Sequence, residues 1–157
     1  MDKPYFRPGA GSIIYRADGS VMIFKRTSED IWQFPQGGMD TSETATDTLW
    51  RELKEETGLV TADFTLYLPY PTWTFYEYPD GFVLPASRST CIGQCHKWWF
   101  LQLAPSTTIE LDRAHDKEFD AWKWILFSDF IAQSEHSFKQ PVYLELYEHF
   151  ARHIVPL

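Results

Sequence analysis

The chain has 157 residues, 44% of them hydrophobic and 23% charged, room for one domain (1–157) with a sizeable core. Asp and Glu outnumber Lys and Arg by 22 to 14, and the formal charge of −8 excludes sequence-blind binding along a nucleic-acid backbone, which needs a basic surface. No apolar run approaches the ~20 residues of a membrane span. "MDKPYFRPGAG" lacks a signal peptide's apolar stretch and two cysteines are too few for a disulfide framework, so no membrane contact and a cytoplasmic location are expected.

In chain order, "GAGSIIY" and "SVMIFKR" predict two strands joined at Asp18-Gly19, a strong hairpin-turn signal. An aromatic and Gly-rich approach, "WQFPQGG", leads to a helix expected to start near Thr41 or Ser42 as N-cap and to stop at Gly58. "FTLYLP", "TWTFYEY", "HKWWFLQL" and "FDAWKWILF" predict strands, with the Trp residues of "KWWF" and "WKW" in the core. Short helical "SDFIAQ" and the longer "QPVYLELYEHFARHI", with Pro141 in its first turn, close the chain. Strands mixed with a few helices, without regular βαβ alternation, predict an α/β (α+β) sandwich. Cys91, Cys95 and His96 make a poor zinc site, because Cys95 and His96 would leave opposite faces of a strand. His115, His136 and His149 have no evident partner.

Within "RELKEETGL", Glu52, Glu55 and Glu56 fall in an arc of about 100° on one helical ridge. Like charges at that spacing cost a few tenths of a kcal/mol per pair. The ridge borders the apolar stripe of Leu49, Trp50 and Leu53, Arg51 flanks it with Asp47 one turn earlier to hold its side chain, and Gly37-Gly38 precede the helix with bare backbone carbonyls. Carboxylates crowded beside a low-dielectric wall call for a cation, and hard oxygen donors select Mg²⁺ or Mn²⁺ with coordination sites left for phosphates.

From Gly37 the chain runs five residues to Glu43, seven more to Arg51-Glu52-Leu53, one to Glu55-Glu56 and one to Gly58-Leu59. That pattern resembles the Nudix box of hydrolases that cleave nucleoside diphosphates linked to another moiety. The resemblance implies a Nudix fold, a mixed sheet between helices with the box as loop-helix-loop. It implies two or three Mg²⁺ (or Mn²⁺) ions held by Glu52, Glu55, Glu56 and a carbonyl of Gly37 or Gly38, with Glu43 supporting the loop and Arg51 orienting Glu52. Glu52 is the first choice for the base that activates water and Glu118 the second, Glu118 also reaching the metal cluster.

"FRPGAG", "WQFPQGGMD", "CIGQCHKWWF", "EFDAWKW" and "SFKQPVY" further resemble bacterial RNA pyrophosphohydrolases, which remove pyrophosphate from triphosphorylated RNA 5′ ends and so promote decay. The same blocks resemble dinucleoside tetraphosphate hydrolases, so a nucleotide polyphosphate or nucleotide sugar is the alternative substrate. The chain departs from the RNA enzymes in reading Arg7-Pro8-Gly9-Ala10-Gly11 where they read Arg-Pro-Asn-Val-Gly, and in carrying Arg88 alone ahead of "CIGQ", which implies a weaker grip on RNA backbone. Arg7 and Arg26 suit phosphate clamps, and Gln94 and Lys97 could reach the same cleft. Phe138 and Lys139 suit a base-stacking platform. None of these motifs specifies a protein activator.

Overall fold

The computed structural model describes residues 3–156. Strands β1 (Tyr5–Tyr15), β2 (Ser20–Arg26), β3 (Trp32–Gln33), β4 (Gln36–Gly38), β5 (Phe64–Pro69), β6 (Thr74–Glu77), β7 (Cys91–Leu103) and β8 (Phe119–Leu126) form one mixed sheet. Its main path runs β3-β2-β1-β7-β5, with β8 on β2, β4 on β1 and β6 on β7. Among the described residues only β1 and β7 pair in parallel, over the full length of β1. That pairing sets Arg7 beside Gln94 and so joins two distant stretches at one end of the sheet.

Alternation along the strands buries both faces. Ile13, Ile23, Trp98 and Phe100 point to one side, where α2 (Phe127–Gln133) and α3 (Gln140–His149) contribute Phe127, Phe130, Tyr143 and Leu146. Ile14, Met22, Phe24 and Leu101 point to the other, against Leu49 and Leu53 of α1 (Ala45–Thr57). The Asp18-Gly19 hairpin forms as expected, Arg16 N–H donating to the Ser20 carbonyl.

Three expectations are corrected. The N-cap of α1 is Thr44, not Thr41 or Ser42: Thr44 and Asp47 form a reciprocal capping box, and Ser42 sits at φ 78 in the preceding turn. Asp47 is thereby held at the cap and does not hold Arg51. The Trp residues also divide: Trp98 and Trp99 are core, whereas Trp122 on β8 is 36% exposed and Trp124 lies under the Arg16 guanidinium. Gly58 ends α1 in the left-handed region, as the sequence requires. Among the described residues no helix is long and apolar enough to cross a membrane.

Candidate active site

The acidic ridge of α1 faces β4 and the start of β8. Leu49 and Leu53 anchor the helix on the sheet, which turns Glu52 and Glu56 inward. β4 passes so close that a Cβ on Gly37 would overlap the Glu52 carboxyl, and one on Gly9 would overlap the Gly37 carbonyl. Glycine at 9, where the sequence departs from Arg-Pro-Asn-Val-Gly, is what this approach of β4 to β1 requires.

Arg51 organises the loop before the helix. Its guanidinium donates to both Glu43 oxygens (2.6 and 2.8 Å), to Glu52 Oε1 (2.8 Å), to Glu55 Oε2 (3.2 Å) and to the Gly38 carbonyl (2.9 Å). Such a fork holds Glu43 far below the ordinary carboxylate range, at about 2. Glu43 in turn accepts from the Asp40 N–H and the Thr48 hydroxyl, so it braces the loop against the helix. Glu55 is turned to Arg51 at the cavity's edge and does not line it.

Glu118 arrives from the far side. Thr27 N–H donates to its carbonyl at 2.7 Å, and Asp116 N–H donates to the Glu55 carbonyl at 2.9 Å, tying that loop to the end of α1. Glu118 Oε1 meets Arg26 Nη1 at 3.4 Å, and Arg26 also pairs with Glu29 at 3.5 Å. Burial, and then the charges of Glu118 and Glu52, push the Glu56 carboxyl well above the ordinary carboxylate range. Burial likewise raises Glu52 and Glu118. Glu56 is 1% exposed and its Oε2 has no hydrogen-bond partner. A buried anionic oxygen without a donor fits a cation, and three carboxylates of hard oxygen donors fit a divalent one. Among the described residues no three His, Cys, Asp or Glu side chains are gathered as a finished ligand set, since Glu52 and Glu55 lean on Arg51.

A cavity of about 1300 Å³ opens from this acidic pole, and Arg7, Arg26, Gln94, Phe138 and Lys139 all line it with Gly37, Gly38, Glu52, Glu56 and Glu118. Lys97 is the exception, since its ammonium donates to the Tyr70 carbonyl away from the cavity. At the opposite pole stands an aromatic wall. Tyr78 and Phe82 stack at 4.5 Å and 8°, and Phe138 meets Tyr76, Tyr78 and Phe82 edge to face. Gln94 is fixed in that wall, accepting from the Tyr76 hydroxyl (2.5 Å) and donating to the Tyr78 hydroxyl (2.9 Å). Burial first, then Arg26, lowers the Lys139 ammonium to about 8, against the pull of Glu118. Tyr76, Tyr78, Phe82 and Asp116 were not singled out from the sequence; the aromatic spacing in "YEYPDGF" was the available signal.

Residues 5–147 match the NUDIX domain. The chain belongs to the Nudix family. An RNA pyrophosphohydrolase of Xanthomonas campestris pv. campestris is 40% identical over 154 residues, 96% of this chain and 74% of that protein. One from Sodalis glossinidius is 37% identical and is covered over 90% of its length, with 100% of this chain. Among solved structures, a C. elegans Ap4A hydrolase binary complex superposes with TM-score 0.66 at 20% identity, covering 92% of this chain and 98% of that one. A dihydroneopterin triphosphate pyrophosphohydrolase from E. coli gives 0.62 at 22%, covering 88% and 97%. The mixed sheet between helices is thus the Nudix fold, and Nudix hydrolases generally act with divalent ions.

Proposed function

We propose that the protein is a divalent-metal-dependent RNA pyrophosphohydrolase that releases pyrophosphate from a 5′-triphosphate end and leaves a 5′-monophosphate. The observation that carries this reading is the single cavity joining an acidic pole to an aromatic wall, larger than the ~300–1,000 Å³ usual for one small ligand. Likeness over 96% of the chain to a protein named RNA pyrophosphohydrolase supports it.

Glu52, Glu55, Glu56 and Glu118, with a carbonyl of Gly37 or Gly38, would hold two or three Mg²⁺ or Mn²⁺ ions. Such ions, when bound, neutralise a polyphosphate and lower the pKa of an attacking water. Arg51 would keep Glu52 in place while Glu52, or Glu118 as second choice, takes a proton from that water; burial raises both carboxyls, which makes them better bases. Arg7 and Arg26 would clamp the phosphates with planar donor pairs. Phe138 would stack a base beyond the triphosphate, with Gln94 and Lys139 beside it. We place the reaction in the cytoplasm.

Hydrolysis of triphosphorylated RNA, diadenosine tetraphosphate, nucleoside triphosphates and nucleotide sugars, run side by side, tests the reading. Stacking one base is worth ~1–3 kcal/mol, so Phe138→Ala should weaken RNA cleavage roughly 5- to 150-fold. Cleavage of a free nucleoside triphosphate should barely change. Equal losses on both would leave a general nucleotide hydrolase. Faster native turnover of diadenosine tetraphosphate than of RNA would favour the dinucleoside hydrolase reading, whose second base the aromatic wall also suits.

A further inference from the structure

His149 has no partner evident in the sequence, yet the fold gives it one. Its ring stacks on Phe100 at 5.6 Å and 22°, and Tyr70 meets it edge-on at 5.0 Å. Held between them, it faces His153 with ring centroids 4.8 Å apart. The last turn of the chain brings this about. Phe150–Ile154 is a π-helical turn, closed by Val155 N–H donating to the Phe150 carbonyl at 3.0 Å. Residues i and i+4 share one face of a helical turn, so the two imidazoles are neighbours on the surface of the molecule.

We propose that His149 and His153 chelate a divalent transition-metal ion of the borderline class (Cu²⁺, Ni²⁺ or Zn²⁺) at a site separate from the carboxylate cleft. Imidazole nitrogen prefers these ions, in the order that places Cu²⁺ highest, whereas the oxygen-rich ridge of α1 suits Mg²⁺. One ligand, half-buried, is already held between Phe100 and Tyr70, which lowers the entropy lost on chelation; the other, exposed on the surface, leaves the remaining coordination positions to water. The helix also carries Glu145 and Glu148 in the turn before His149, so an approaching cation meets negative charge. Bound there, the ion would tie the π-turn to α3.

The test is titration of the full chain with Cu²⁺ in excess Mg²⁺, which occupies the acidic ridge. One Cu²⁺ per chain should bind at this site, with an electron paramagnetic resonance spectrum carrying hyperfine structure from two imidazole nitrogens, and the thermal midpoint should rise. His153→Gln changes an exposed side chain, so the fold should be kept while affinity drops at least about tenfold and the two-nitrogen signature is lost. His115→Gln and His136→Gln should leave both unchanged. Absence of such binding in the native chain, or an unaltered affinity and spectrum in His153→Gln, would overturn the assignment.

Discussion

Glu56 has a carboxylate oxygen buried without a donor, one helical turn from Glu52 and facing Glu118. Left unneutralised this arrangement is repulsive, and a bound cation, like a proton, relieves it. Glu52→Gln, Glu55→Gln and Glu56→Gln should each cut turnover by at least ~10²-fold while the fold survives, because relieving like-charge repulsion costs the helix nothing. Circular dichroism alongside steady-state rates checks both halves, and near-native turnover in all three variants would refute the metal assignment. His96, like Glu56, buries a polar side-chain atom without a hydrogen-bond partner. It is 2% exposed, its Nδ1 is unpaired, and burial, then Lys139 and Arg7, lowers its pKa to about 3. The unfolded chain takes up this proton near pH 6.5 and the folded one does not, so stability falls by up to about 1.4 kcal/mol per pH unit between 6.5 and 3. His96→Phe removes that contribution. Urea unfolding at pH 7 and pH 5 should show the native chain losing up to about 2 kcal/mol more than the variant, since carboxylate titration is common to both and cancels. Equal losses would mean that His96 is protonated in the fold.

At the scale of elements, helix α1 shows where local signals suffice and where they compete. Gly58 was legible as its stop because a left-handed residue there favours glycine. Its start was not, because "TSET" offers three hydroxyl residues within four positions and only the reciprocal bond with Asp47 selects Thr44. Thr44→Ala should therefore cost about 1 kcal/mol of stability, whereas Thr41→Ala should cost almost nothing. Denaturant midpoints for the two variants decide this, and the reverse order would return the cap to Thr41. The ridge itself was readable from spacing because helix geometry fixes neighbours at i+3 and i+4. The aromatic wall was not, since Phe82 and Phe138 lie on loops 56 residues apart and meet only because β6 and α3 border the same cavity. Lys97 failed for a related reason: strand position alone does not say which sheet face carries the cleft, and its neighbour Gln94 took the right one.

For the molecule as a whole, elements distant in the chain bring cationic side chains to one cavity within a strongly acidic protein. Arg7, Arg26, Arg88, Lys123 and Lys139 line the cavity, while the chain carries a net charge of −8. Phosphates beyond the acidic pole meet these cations, whereas a strand leaving the cavity meets a protein of net negative charge. Affinity for RNA should thus saturate once the cavity is filled. We expect kcat/KM to be nearly constant from triphosphorylated trinucleotides to RNAs of about thirty nucleotides. The salt dependence should also be shallow. With at most five cations and about 0.7 counterions released per contact, the slope of log affinity against log salt should not be steeper than about −3.5, and the pairing of Arg26 with Glu118 and Glu29 makes it shallower still. Measuring kcat/KM across a length series at two salt concentrations tests both expectations together. A steady gain with length beyond about five nucleotides, with a correspondingly steeper salt slope, would reveal a backbone track outside the cavity and contradict this account.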